Sequence, residues 1–196
     1  MSKDEALVVD HRNFFYPPGG ILLWLIIFVE LLTYGLGLLA LVHYGRLEPE
    51  AFHQSRLQLN TGIGTFNTVV LLTSGFFMAM AVKLFREGKF SQASTFIKLT
   101  MVGGGIFIVF KCYEYYEKLS AGVALDENMF FTLYWMLTVF HLVHVLVGMV
   151  ILTWSLVKMK KASASIDLLD LESGAAFWHM CDLIWLLLFP ALYLIF

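Results

Sequence analysis

Charge is scarce in this chain. Only 14% of its 196 residues are Asp, Glu, Lys or Arg, well below the roughly 25% of soluble domains, whereas 59% are hydrophobic and the mean hydropathy is +0.77. That composition excludes an ordinary soluble domain and implies a membrane protein. There is no basic excess either: 13 Lys and Arg against 15 Asp and Glu leave a net charge of −2. Nucleic-acid binding, which needs a basic patch or stripe, is therefore set aside. Cysteine is limited to Cys112 and Cys181. Both lie in apolar segments outside any CxxC or Cys/His cluster, which excludes a zinc framework and makes them small packing residues. The opening "MSKDEALVVDHRNFFYPPGG" lacks the basic-then-apolar layout of a signal peptide. Anchoring is left to the spans themselves.

Long apolar runs dominate the rest. A bilayer-spanning helix needs about 20 mainly apolar residues, and five segments qualify, at about 20–43, 62–84, 97–117, 129–157 and 174–196. The expectation is an all-α polytopic membrane protein: a cytoplasmic tail over 1–19 and a single five-helix transmembrane domain over 20–196. The links between spans are short and polar, so no soluble domain is expected to carry chemistry outside the membrane. Lys and Arg in short loops concentrate on the cytoplasmic side. Here Lys3, Arg12, Lys83, Arg86, Lys89, Lys98, Lys158, Lys160 and Lys161 fall on one side, and Arg46, Arg56 and Lys118 on the other. This bias predicts a cytoplasmic N terminus and a periplasmic C terminus. Pro17-Pro18-Gly19-Gly20 is expected to stop the tail before the first span. Gly103-Gly104-Gly105 is read as a close-packing surface for a neighbouring helix rather than a hinge.

A charge in the hydrocarbon core costs several kcal/mol unless paired, so ionisable residues there are functional candidates by default. They are Glu30, Lys111, Glu114, His141, His144, His179 and Asp182. Lys111 and Glu114 are three apart, and Glu114 and Lys118 four apart, so the spacing predicts mutual compensation on one helix face. His179 and Asp182 in "WHMCDLIW" also share a face. A structural pair is favoured there over a proton relay, with Asp182 orienting or charge-stabilising the imidazole on a face that lies toward the cytoplasmic end of the last span. Glu30 has no charged neighbour one turn away, and its partner must come from another helix. His141 and His144, near the middle of the fourth span, reach comparable depth and are the expected partners. Otherwise Glu30 stays protonated.

Metal binding is the sharper alternative for these groups. A helical-bundle di-metal site takes Glu from two helices and Glu-x-x-His from two others. Within its spans this chain offers His-x-x-His, His-x-x-Asp and one isolated Glu, with no Glu-x-x-His at membrane depth. A bis-histidine haem would need facing helices at matched depth, for which His144 and His179 are the nearest pair. The rival reading from this set is a haem- or metal-binding electron-transfer protein using His141, His144 and His179. A small transporter ranks lower, because the internal repeat or broken-helix pair of such folds is missing.

Five blocks, in order, resemble subunit III of the haem-copper oxidases. They are "LLWLIIFVELLTYG" with Glu30; "FNTVVLLTSG" with Asn67, Thr68, Ser74 and Gly75; "FKCYEYYE" with Glu114 and Tyr115; "LTVFHLVHVLVG" with Thr138, His141, His144 and Gly148; and "ESGAAFWHMCDLIWLLLF" with Glu172, Gly174, Trp178, His179, Asp182 and Trp185. Val139 and Leu142 stand where that family often has glycine, so packing in the fourth span is expected to differ. The first two spans of the seven-span type have no counterpart, and the five-span form resembles the quinol oxidase subunit III and the accessory protein associated with nitric oxide reductase.

The resemblance implies a non-catalytic subunit with no cofactor of its own. It would pack on a haem-bearing subunit I-like partner, whose haem is accompanied by copper or non-haem iron, and on other subunits of a respiratory complex. It would bind phospholipid in a groove, open here for want of the first two helices, and support stability and sustained proton uptake in aerobic or nitric oxide respiration. The location implied is the bacterial inner (cytoplasmic) membrane, as a multi-pass protein. Glu30, Glu114, His141, His144, His179 and Asp182 then become buried polar, lipid-linked or proton-linked residues, and Asn67, Ser74, Trp178 and Trp185 subunit-packing residues.

Overall fold

A computed structural model describes residues 20–123, 127–160 and 167–196. The N-terminal tail with Lys3, Arg12 and Pro17-Pro18-Gly19 lies outside the described residues, as do Lys161 and the Lys160 side chain. Six helices follow in order: α1 (Gly20–Leu47), α2 (Pro49–Leu57), α3 (Thr61–Arg86), α4 (Phe90–Ser120), α5 (Met129–Lys160) and α6 (Leu168–Tyr193). Five of them, all but α2, are long and apolar enough to cross a bilayer, and no strand occurs among the described residues.

Local chemistry sets the ends. Asn60 caps α3 by accepting from the Ile63 amide at 3.1 Å, satisfying one of the orphan donors of a first turn. Asn128 does the same for α5 through Phe131 N at 3.0 Å. Its amide also donates to Ser55 Oγ at 2.9 Å, which ties α2 to that cap. Gly88 (φ +75°) and Gly122 (φ +78°) take the left-handed conformation after α3 and α4, where a side chain would be strained. The short α2 was expected to be plain link. Pro49 opens it, and Phe52, 1% exposed, pins it edge-on against Phe130 and Phe196.

Packing is centred on α6. This helix contacts α1, α3 and α5, while α3 pairs most extensively with α4 and α1 rests on α5 and α6. In its most apolar stretch α6 is 61% buried, against 22% for α1, so α6 is the core post and α1 an outer helix. Close approach of α3 and α4 uses small residues: a Cβ at Gly103 would come 2.8 Å from Ser74 Cβ. At Gly104 it would meet Trp178 of α6 and Met149 of α5, whereas Gly105 faces open space. The glycine triplet thus divides into two packing positions and one free one.

Candidate functional site

The polar residues of the bundle sort into four groups, three of them held by facing helices. The first is the α3–α4–α6 seam. Trp178 Nε1 donates to Ser74 Oγ at 3.1 Å, Ser74 Oγ donates to Thr100 O at 3.0 Å, and Trp185 Nε1 donates to Thr68 Oγ1 at 3.0 Å. Both indoles are fully buried, and each ring nitrogen has its partner. Asn67, one residue before Thr68, is also buried, and its amide oxygen and nitrogen have no partner among the described residues.

The second group joins α1 to α5. His144 Nε2 lies 3.2 Å from Glu30 Oε1, and its Nδ1 lies 2.8 Å from Phe140 O. The carbonyl can only accept, so Nδ1 carries a proton there and the ring orientation is fixed. Phe140, Tyr34 and Phe177 surround the imidazole. His141 does not join Glu30. It stacks on Trp185 at 5.3 Å and meets the Phe107 edge at 5.6 Å, on the α4–α6 side of α5. The expectation of two histidines facing Glu30 is corrected to one.

The third group is the most enclosed. Lys111 and Glu114 on α4 are both 0% exposed and pair at 3.3 Å. Tyr134 of α5 and Tyr193 of α6 complete the cluster, each donating to Glu114 Oε1 at 2.6 Å. Lys111 Nζ reaches their hydroxyls at 3.2 and 2.7 Å. The ammonium also lies 4.9 Å from the Tyr134 ring and 5.2 Å from the Trp185 ring, within cation–π range. Lys118 does not compensate Glu114 as its spacing predicted; it donates to the Gln58 carbonyl. Arg56 Nη1 donates to Tyr193 O at 3.2 Å and so fastens the end of α6 to α2. Tyr134 and Tyr193 escape a reading of the sequence because their role depends on contacts 20 and 79 residues away.

The fourth group lies on α6 alone. His179 Nδ1 is 3.4 Å from Asp182 Oδ2. The pair lies near the middle of α6. Asp182 is 7% exposed and occupies the space beside Gly75 that a Cβ would fill. The His179 side chain is 44% exposed.

These positions leave little for a metal or haem to take. Among the described residues no three His, Cys, Asp or Glu side chains cluster as a metal site. Both His144 nitrogens are engaged, and His141 is enclosed between aromatic rings.

The fold and its buried polar seams define a polytopic helical membrane protein in which Lys111, Glu114, His141, His144 and Asp182 are buried within the bundle. The family model for cytochrome c oxidase subunit III matches residues 55–195, and the chain belongs to that family. A ubiquinol oxidase subunit 3, "Cytochrome bo(3) ubiquinol oxidase subunit 3" of Buchnera aphidicola, is 27% identical over 128 residues, covering 65% of this chain and 62% of that protein. Cytochrome c oxidase subunit 3 of Coturnix japonica is 31% identical over 128 residues, covering 65% of this chain and 48% of its own. A protein of Aeropyrum pernix, "Heme-copper oxidase subunit I+III", is 25% identical over 181 residues, covering 88% of this chain and 22% of its own. The matched region therefore spans about half to three fifths of the first two relatives.

Proposed function

We propose that this chain is a non-catalytic, subunit III-like component of a haem-copper oxidase or nitric oxide reductase complex. In this reading it supports stability, phospholipid binding and sustained proton uptake of a haem-bearing catalytic subunit. The chain would form one five-helix domain over 20–196 in the bacterial inner membrane, with a cytoplasmic tail over 1–19 and a periplasmic C terminus. The Aeropyrum relative carries the reading: its name joins subunits I and III, and its matched portion takes in 88% of this chain. The geometry agrees in kind, because Lys111, Glu114 and His144 are consumed by contacts within the bundle and are not presented to a substrate.

Isolation of the tagged chain from its native membrane is expected to bring a haem-bearing subunit with it. The chain expressed alone is expected to show no stoichiometric Soret band or bound metal. A Soret band lost on His144→Ala would overturn the proposal in favour of a haem protein.

Glu30 and His144 are the residues of this set that reach the outer helix α1. Glu30→Gln keeps a hydrogen-bonding group of the same size while removing the acid. The variant is expected to assemble normally but to lose activity at least about twofold sooner during sustained turnover, in line with the proton-linked role of acids at membrane depth. Equal activity over many turnovers would remove the proton-linked role from Glu30.

A further inference from the structure

A half-exposed imidazole near the middle of an apolar helix is out of place against lipid tails, where polar groups normally face protein or a water-filled cavity. His179 is such a group, with its side chain 44% exposed. Asp182 is its only partner among the described residues. The two lie in a trough between α3 and α6, made of two adjoining clefts of about 300 and 490 Å³ that share Ala79 and His179. The floor is small: Ala79 on α3 opposes Ala175 and Ala176 on α6, while the space beside Gly75, one turn before Ala79, is already taken by Asp182. Leu72, Phe76, Leu183 and Leu186 form apolar walls at one end, and Lys83 and Arg86 stand at the other. Glu172 neutralises Arg86 at 2.6 Å, while Lys83 has no ion-pair partner among the described residues.

Small residues such as these alanines let a second helix approach closely, and polar groups at that contact are then satisfied across the interface. Asp182 sharpens the point. Its Oδ1 is buried and has no partner among the described residues, while its Oδ2 is directed at His179 Nδ1. This arrangement favours a proton on Nδ1 and leaves Nε2 as an acceptor.

We infer that the α3–α6 trough seats a transmembrane helix of the haem-bearing partner, one that brings a hydrogen-bond donor to His179 Nε2 and an acidic group to Lys83. This rests on the subunit reading above and adds which face docks and what the docked helix must carry. A lipid chain would fill the apolar end, but it offers no donor at the depth of His179. A quinol would offer one, but it has no group for the small-residue floor to receive.

The test uses the tagged chain isolated from its native membrane. Benzoylphenylalanine in place of Phe76 is expected to crosslink, on illumination, to the haem-bearing subunit. Ala79→Trp, which fills the floor, and His179→Phe, which keeps a ring but removes the acceptor, are each expected to lower co-isolated haem per tag, by about tenfold for the tryptophan. Thermal melting of each variant alone checks that it is folded; if Ala79→Trp does not fold, His179→Phe and the crosslink decide. Crosslinks to phospholipid or quinone only, or full haem retention by both folded variants, would overturn the trough as a helix seat. If the unaltered chain brought down no haem-bearing subunit, the subunit reading itself would fall, a result separate from loss confined to the trough variants.

Discussion

Lys111→Met is expected to destabilise the isolated bundle by about 3–5 kcal/mol, the usual cost of removing one partner from a buried ion pair. The mutation removes an ammonium that Glu114, Tyr134 and Tyr193 all contact. It leaves Glu114 fully buried with only two phenol donors at 2.6 Å. Equilibrium unfolding in mixed detergent micelles would read the loss. The double variant Lys111→Met with Glu114→Gln should recover most of it, because the glutamine carbonyl still accepts from Tyr134 and Tyr193 and no charge remains unpaired. If the single variant were as stable as the parent, the ion pair would carry no weight in the fold. If the double variant were no better than the single, the loss would come from packing of the lysine stem and not from a stranded charge.

Gly104→Leu is expected to cost about 2–3 kcal/mol, the upper part of the range for overpacking a filled core. The first added atom alone would stand 2.6 Å from the Trp178 ring and 2.9 Å from the Met149 sulfur. Trp178 has no room to yield, since it is fully buried and held by its hydrogen bond to Ser74. Gly105→Ala, one residue on, meets nothing within 4 Å. It should be neutral or stabilise α4 by up to about 1 kcal/mol through helix propensity. The same unfolding titration measures both. Similar destabilisation by the two substitutions would mean that the glycines matter for helix flexibility rather than for close packing.

The apolar runs made the five spans legible, but they report how much chain is apolar, not how far each helix extends. The helix expected over 97–117 begins at Phe90 and ends at Ser120, because its polar first turns continue the hydrogen-bond ladder beyond the apolar stretch. The small helix α2 carries no apolar signature in the sequence, because it buries only Phe52 and Ser55 within an otherwise polar link.

Among the polar residues, local pairs were visible wherever both members lay on one helix, as with Lys111 and Glu114 or His179 and Asp182. The choice between His141 and His144 was not visible. Residues three apart on a helix differ by roughly 60° in direction, and only the placement of α1, α4 and α6 decides which of them meets Glu30. The phenols around Glu114 were hidden for the same reason: no periodicity links Tyr193 of α6 to Glu114 of α4 across 79 residues.

The central place of α6 has a consequence for how the protein is made. Synthesis runs from the N terminus, so α6 leaves the ribosome after the other described helices. Until it enters the membrane, Ser74 lacks the Trp178 indole, Thr68 lacks Trp185, and Lys111 and Glu114 lack the Tyr193 hydroxyl. A chain interrupted before α6 would therefore present, within the bilayer, two hydroxyls that still donate to backbone carbonyls but accept from nothing and an ion pair short of one phenol, features by which an intramembrane protease or chaperone can tell an unfinished copy from a finished one.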